Sequence, residues 1–169
     1  MPQLAVITDE LSEDLDHALA VCKELDIHVV ELRSVWNTNV VNMGSDDLAR
    51  LETTIRRAGV TVCAIASPFL KCHIHEDGAA AGPLHSATET PRSAQWDILA
   101  SSLDLADRLD APMVRTFSFW RLEDPGSARD EILDVLRDAT SRVATRGRQL
   151  ALENEHSCNI GSGEEAAWY

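Results

Sequence analysis

At 169 residues with 44% hydrophobic content, the chain is long enough to bury one ordinary core and too apolar to be disordered. Fifteen Lys and Arg stand against 28 Asp and Glu, a formal net charge of −13, so the summed field repels nucleic-acid phosphates at long range. No local basic patch offsets that field, and no window approaches the roughly 20 apolar residues of a membrane span.

Cys22, Cys63, Cys72 and Cys158 fall on unrelated elements without paired CxxC spacing, which points to a reducing cytoplasm. The start MPQLAVITDELSED has neither a basic n-region nor a long apolar h-region, so a soluble cytoplasmic protein is expected.

Five short β-branched runs alternate with helical spacing. The first strand is predicted over Leu4 to Thr8. A helix follows over roughly 12 to 25, with Ser12 as N-cap and Leu15, Leu19, Cys22 and Leu25 on one face. The second strand is Val29 to Leu32, and the second helix starts at Ser45-Asp46-Asp47 and stops at Gly59. Val60 to Ala66 is the third strand. About 20 residues, Lys71 to Thr90, then form a long loop, read as part of a lid or mouth. The third helix is Arg92 to Leu109 after Pro91, and the fourth strand Met113 to Phe117. The fourth helix is predicted from about Ser127 to Thr145, the fifth strand at Gln149 to Leu152, and a fifth helix after Gly161-Ser162-Gly163.

Strict βα alternation implies parallel strands and right-handed crossovers, either an open doubly wound sheet or a closed barrel. No GxGxxG or GxxxxGK[ST] follows the first strand, which weighs against the nucleotide-binding open sheets. In either architecture the site forms at the carboxyl ends of the strands. There the sequence collects Asp9 and Glu10; Glu31, Arg33 and Trp36; Ser67, Pro68 and Lys71; Arg115, Ser118, Trp120 and Arg121; and Glu153, Asn154, Glu155 and His156. Carboxylates, guanidinium groups and flat aromatics are what a polyol or sugar requires. Charges also gather at strand ends because strand ends meet water, and for Glu31, Arg33 and Arg115 a buried ion pair competes with substrate binding.

The strings ITDELSED (7–14), VVELRSVW (29–36), AIASPFLKC (64–72), VRTFSFWR (114–121) and ALENEHSCNIGSG (151–163) together resemble the sugar phosphate isomerase/epimerase group of xylose isomerase-like TIM barrels. The resemblance implies a (β/α)8 barrel of which this chain holds about the first five βα units. It implies a divalent-metal-dependent isomerase or epimerase acting by proton abstraction next to a carbonyl. The Glu of the "EN" dipeptide is typically a metal ligand in that group. Here that residue is Glu153, expected both as ligand of Mn²⁺, Mg²⁺ or Co²⁺ and as catalytic residue.

The expected substrate contacts are Glu31, Arg33, Trp36, Lys71, Arg115, Trp120, Arg121 and His156, with Glu153, Glu31, Arg33, Lys71, Arg115 and His156 around one cavity. Cys72-His73-Ile74-His75 lacks further ligands at zinc spacing and is read as loop. A dehydratase of a keto-sugar or cyclic polyol on the same fold is the alternative. An endonuclease IV-like nuclease disagrees with the net charge of −13, and a non-catalytic truncated barrel is the remaining reading. A complete barrel needs about 250 residues. The chain is therefore expected to be the N-terminal part of a longer single domain, poorly stable and inactive alone, with its other metal ligands elsewhere; pairing with a second copy as a homo-oligomer is the other way to close it.

Overall fold

Val29-Val30-Glu31-Leu32 is β-branched at two and buried at three of its four positions, which suits a strand flanked on both sides, and it pairs in parallel with two neighbours. The computed structural model describes residues 3–75 and 90–169. Most of the long loop expected between Lys71 and Thr90 lies outside the described residues. In chain order the elements are β1 (Ala5–Ile7), α1 (Leu15–Glu24), β2 (Val29–Leu32), β3 (Ser34–Val35), β4 (Thr38–Asn39), α2 (Ser45–Ala58), β5 (Thr61–Ile65), α3 (Gln95–Leu109), β6 (Met113–Thr116), α4 (Arg129–Thr145), β7 (Gln149–Leu152) and α5 (Gly163–Trp168). The main sheet has the order β1-β2-β5-β6-β7, so the five expected strands are neighbours in sequence order. The chain divides into two compact units, Met1–Ser67 with Ser101–Val114, and Pro68–Ala100 with Arg115–Tyr169.

In the first unit β1 pairs with β2, β2 with β5, and β5 with the start of β6, all in parallel. The register between β2 and β5 shifts at Val30/Glu31: Val30 faces Val62 and Glu31 faces Ala64, so Cys63 is the extra residue of a bulge. α1 buries Leu15, Ala18, Leu19 and Cys22 at helical spacing. It starts three residues later than expected. Asp14, not Ser12, is the N-cap: its side chain accepts from the His17 N–H at 3.2 Å, while the Ser12 hydroxyl accepts from Asp14 N–H at 3.1 Å. α2 likewise begins at Ser45 after an extended Gly44 with no side-chain cap. It ends at Gly59, whose φ of 68° lets its N–H reach the carbonyls of Ile55 and Arg56.

The β3-β4 hairpin was not expected. Its two-residue turn holds Trp36 and Asn37 at φ 51° and 59°, the left-handed pair that such a hairpin needs. Asn tolerates that region, but Trp gives no turn signal, and strands of two residues carry no periodicity.

In the second unit the helices α3 and α4 are each entered through a 3-10 turn, Arg92–Ala94 and Pro125–Ala128, where single helices from Arg92 and Ser127 were expected. Pro91 and Pro125 fix φ at the entrances without supporting the first α-helical hydrogen bonds. The core here is aromatic: Phe69, Phe117, Phe119 and Trp120 are each at most 1% exposed. Each such Phe contributes about 2–3 kcal/mol of burial before entropic costs. No helix among the described residues is long and apolar enough to cross a membrane.

Candidate functional site

In the first unit the functional groups sit where β1 and β2 end. Thr8–Glu10 turn into a 3-10 helix directly after β1, which brings Asp9 and Glu10 to Arg33, the residue following β2. Arg33 donates through Nε to Asp9 Oδ2 at 2.8 Å and through Nη2 to Glu10 Oε1 at 2.6 Å. Burial pulls the guanidinium pKa down. The hydrogen bonds and charges of Asp9 and then Glu10 outweigh it and leave Arg33 above its ordinary value, a permanently charged fork. Asp9 is 4% exposed in its side chain and Arg33 36%, so the pair is anchored inside and open at its guanidinium end.

Glu31, inside β2, is half-buried, and after burial its charge is the next cause of the raised Cys63 thiol pKa. Trp36 caps the hairpin. Its backbone N–H donates to the Glu13 carbonyl at 2.6 Å, the Arg50 guanidinium lies 3.7 Å from its ring centroid, and the Glu13 carboxylate accepts from Ser34 Oγ at 3.0 Å. Glu13 thus fixes the hairpin, a role that sequence spacing did not reveal because the contact spans more than twenty residues.

The second unit holds a denser cluster, made by Lys71 beyond β5, Arg115 near the end of β6, and Glu153 and Glu155 just past β7. Arg115 Nη1 donates to Glu153 Oε2 at 2.8 Å, with side-chain exposures of 12% and 41%. Strand pairing sets this up: the Glu153 N–H donates to the Thr116 carbonyl at 3.0 Å, putting the residue just past β7 beside the end of β6. Lys71 Nζ lies 2.6 Å from Glu155 Oε2, and both side chains are largely buried. Phe117 is the hub. The Arg115 guanidinium is 4.7 Å and the Lys71 ammonium 4.5 Å from its ring centroid, and Lys71 is also 5.7 Å from that of Trp120. Two cations and two carboxylates are held over one aromatic floor.

Two expected contacts are engaged otherwise. Trp120 is 1% exposed and packs with Phe117 and Cys158, so it presents no open ring face to a ligand. Arg121 chelates Glu165 through both terminal nitrogens and donates to the Cys158 carbonyl at 3.1 Å, tying α5 to the β6 end. His156 is exposed in the turn that follows Glu155.

The buried Cys158 thiol is pushed up to about 12, first by burial and then by the charge of Glu155, and is no nucleophile at neutral pH. Glu155, collected with Glu153 at this strand end in the sequence, is not among the expected substrate contacts, although strand alternation from Glu153 puts it on the same rim. Among the described residues no three His, Cys, Asp or Glu side chains come together as a metal site.

The model of the xylose isomerase-like TIM barrel family matches residues 19–168. Among solved structures, the chain is similar to a xylose isomerase-like TIM barrel protein from Mycobacterium smegmatis in complex with magnesium (15% identity, 99% of this chain, 59% of that one, TM-score 0.66). It is also similar to an AP endonuclease, family 2, from Brucella melitensis (16%, 99% and 63%, 0.67). A third is the probable 3-DHS dehydratase AsbF of petrobactin synthesis from Bacillus anthracis (12%, 93% and 54%, 0.63). The chain therefore spans between 54% and 63% of the length of these structures, and at such identities the likeness is one of fold. No curated protein matches the sequence.

Proposed function

The chain belongs to the xylose isomerase-like TIM barrel family, and from that premise we propose that the protein is a divalent-metal-dependent isomerase or epimerase of a sugar-like substrate, working at the carboxyl ends of its strands. The observation that carries the reading is the cluster of Glu153 with Arg115 and Glu155 with Lys71 around Phe117. Proton abstraction beside a carbonyl needs a carboxylate base and a cation for the oxygen that gains charge, and this cluster holds both types within one unit.

Glu153 is the oxygen donor that fits a hard divalent ion such as Mn²⁺, Mg²⁺ or Co²⁺; the described residues supply no set of three ligands, so Glu153 counts as one ligand of a larger set. When bound, the ion would supply Lewis-acid polarisation of the substrate's oxygens. The chain's own residues do the rest. Arg115 holds the Glu153 carboxylate in place by one oxygen, and Lys71, oriented by Glu155 and partly screened from water by Phe117, offers its ammonium to the carbonyl oxygen. In the other unit, Arg33 on its Asp9–Glu10 anchor is by itself a fork suited to hydroxyls or a phosphate. Four free cysteines favour a reducing, cytoplasmic setting, and the net charge of −13 favours a small-molecule partner over nucleic acid.

The test is Glu153→Gln in the whole protein, with activity followed as solvent deuterium entering ketoses and keto acids. A rate loss of about 10²-fold or more with folding unchanged supports the reading. Near-normal turnover and metal content in the variant remove it. Loss of water from the substrate in place of simple exchange turns the reading into a dehydratase.

A further inference from the structure

At the amino ends of β2 and β5, opposite the end that carries Arg33, the first unit has a surface concavity of about 350 Å³ between α1 and α2. We propose that it binds the phosphate group of a small molecule, a site independent of the reading above. Lys23, Arg57 and His28 line it, against one lining carboxylate, Asp16, and its floor includes Leu19, Ile27 and Val60.

The volume falls within the roughly 300–1,000 Å³ of small-molecule sites. The chain as a whole carries −13 with His counted neutral, whereas Lys23 and Arg57 against Asp16 leave the lining of this hollow with a positive formal charge, and His28 adds a further nitrogen. Lys23 and Arg57 stand in the last turns of α1 and α2, where the helix carbonyl ends favour cations. That accounts for a basic residue on each helix; it does not require both to line the same cavity together with His28.

Arg57 gives one nitrogen, Nη2, to Asp16 at 2.5 Å. The contact orients a planar fork whose other donors suit a second oxyanion. No ion pair of Lys23 is found among the described residues. His28 Nε2 is 2.9 Å from Asp26 Oδ1, which steadies the ring at the rim. A point charge, a fork and an imidazole above an apolar floor fit a dianionic head on an apolar body better than they fit a bare cation or a neutral polyol.

Calorimetric titration of the whole protein at constant ionic strength tests this, first with inorganic phosphate and then with phenyl phosphate. One saturable site is expected, with phenyl phosphate tighter by about threefold or more because of the apolar floor. Equal affinity for the two ligands keeps the anion site and assigns it to free phosphate. The double variant Lys23→Gln with Arg57→Gln should weaken binding by about tenfold or more. Lys23→Gln alone, which breaks no ion pair among the described residues, should weaken it measurably and guards against a folding defect in the double variant. No saturable heat with either ligand, or unchanged affinity in both variants, overturns the proposal.

Discussion

The ammonium of Lys71 and the carboxylate of Glu155 meet at 2.6 Å with side-chain exposures of 15% and 12%, and the Phe117 ring lies 4.5 Å from the same ammonium. Removing one member of such a pair leaves the other charge stranded in a poorly hydrated place. Glu155→Gln or Lys71→Met alone should therefore cost about 3 kcal/mol, and the two together much less than the sum. Urea denaturation of the whole protein and its single and double variants measures this. Single-variant losses under about 1 kcal/mol would mean that the pair behaves as a solvated surface contact.

Burial and the charge of Glu155 together hold the Cys158 thiol up to about 12, and burial raises Cys22 as well. Both should resist an aromatic disulfide reagent at pH 8 until the protein unfolds. Cys63 is only partly buried and should react first, slowed by burial and then by the charge of Glu31. Mass-spectrometric counting of modified cysteines before and after urea gives the order. Early labelling of Cys158 would contradict its burial.

The strands were legible because Val29–Leu32 and Gln149–Leu152 are short apolar runs between polar punctuation; the βα alternation implied parallel pairing but not the sheet order, which came only with the barrel that the resemblance implied. The β3-β4 hairpin was not, because a turn through Trp36 depends on its hold by Glu13, a tertiary contact that overrides local preference. At the site, the sequence named Lys71, Arg115 and Glu153 from their places after strands. It did not pair them. That Arg115 finds Glu153 depends on how β6 and β7 are staggered, and that Lys71 finds Glu155 depends on where the segment after β5 lies against the end of β7, neither of which residue spacing encodes. Trp120 illustrates an ambiguity: an aromatic residue at a strand end is as good a core group as a substrate wall, and here the residue is 1% exposed.

Gly161 sits where a side chain does not fit. A Cβ there would lie 2.9 Å from Arg121 Nη1, 3.0 Å from His156 Cα and 3.3 Å from the Glu155 carbonyl. Gly161→Ala should cost about 1–3 kcal/mol by pushing the Arg121 end away from Glu165 and straining the 155–161 turn. Gly163→Ala is the control, since a Cβ there meets nothing within 4 Å and the position opens α5. Thermal melting should separate the two by several degrees. Equal melting temperatures would show that the Gly161 site relaxes freely.

The last prediction concerns acid. Glu165 is held down at about 2, first by hydrogen bonding to Arg121 and then by the Gly161 N–H, with Ser162 as a weaker donor that also caps α5. The ordinary carboxyl value is 4.5, so the folded-state pKa is the lower one. A depressed carboxyl pKa gives stability that is fully present above the unfolded value and is lost as pH falls through the folded value. Docking of α5 should thus be independent of pH above about 5 and weaken progressively between 4.5 and about 2. Amide hydrogen exchange over residues 161–169 reports that docking. Protection should fall in this window in the whole protein, whereas Glu165→Gln should start less protected and show no such step there. Because Glu165 is partly exposed, the loss should also grow smaller as salt is raised. A protection profile that is flat down to pH 2 in the unaltered protein would mean that the Arg121–Glu165 contact does not hold α5 in place.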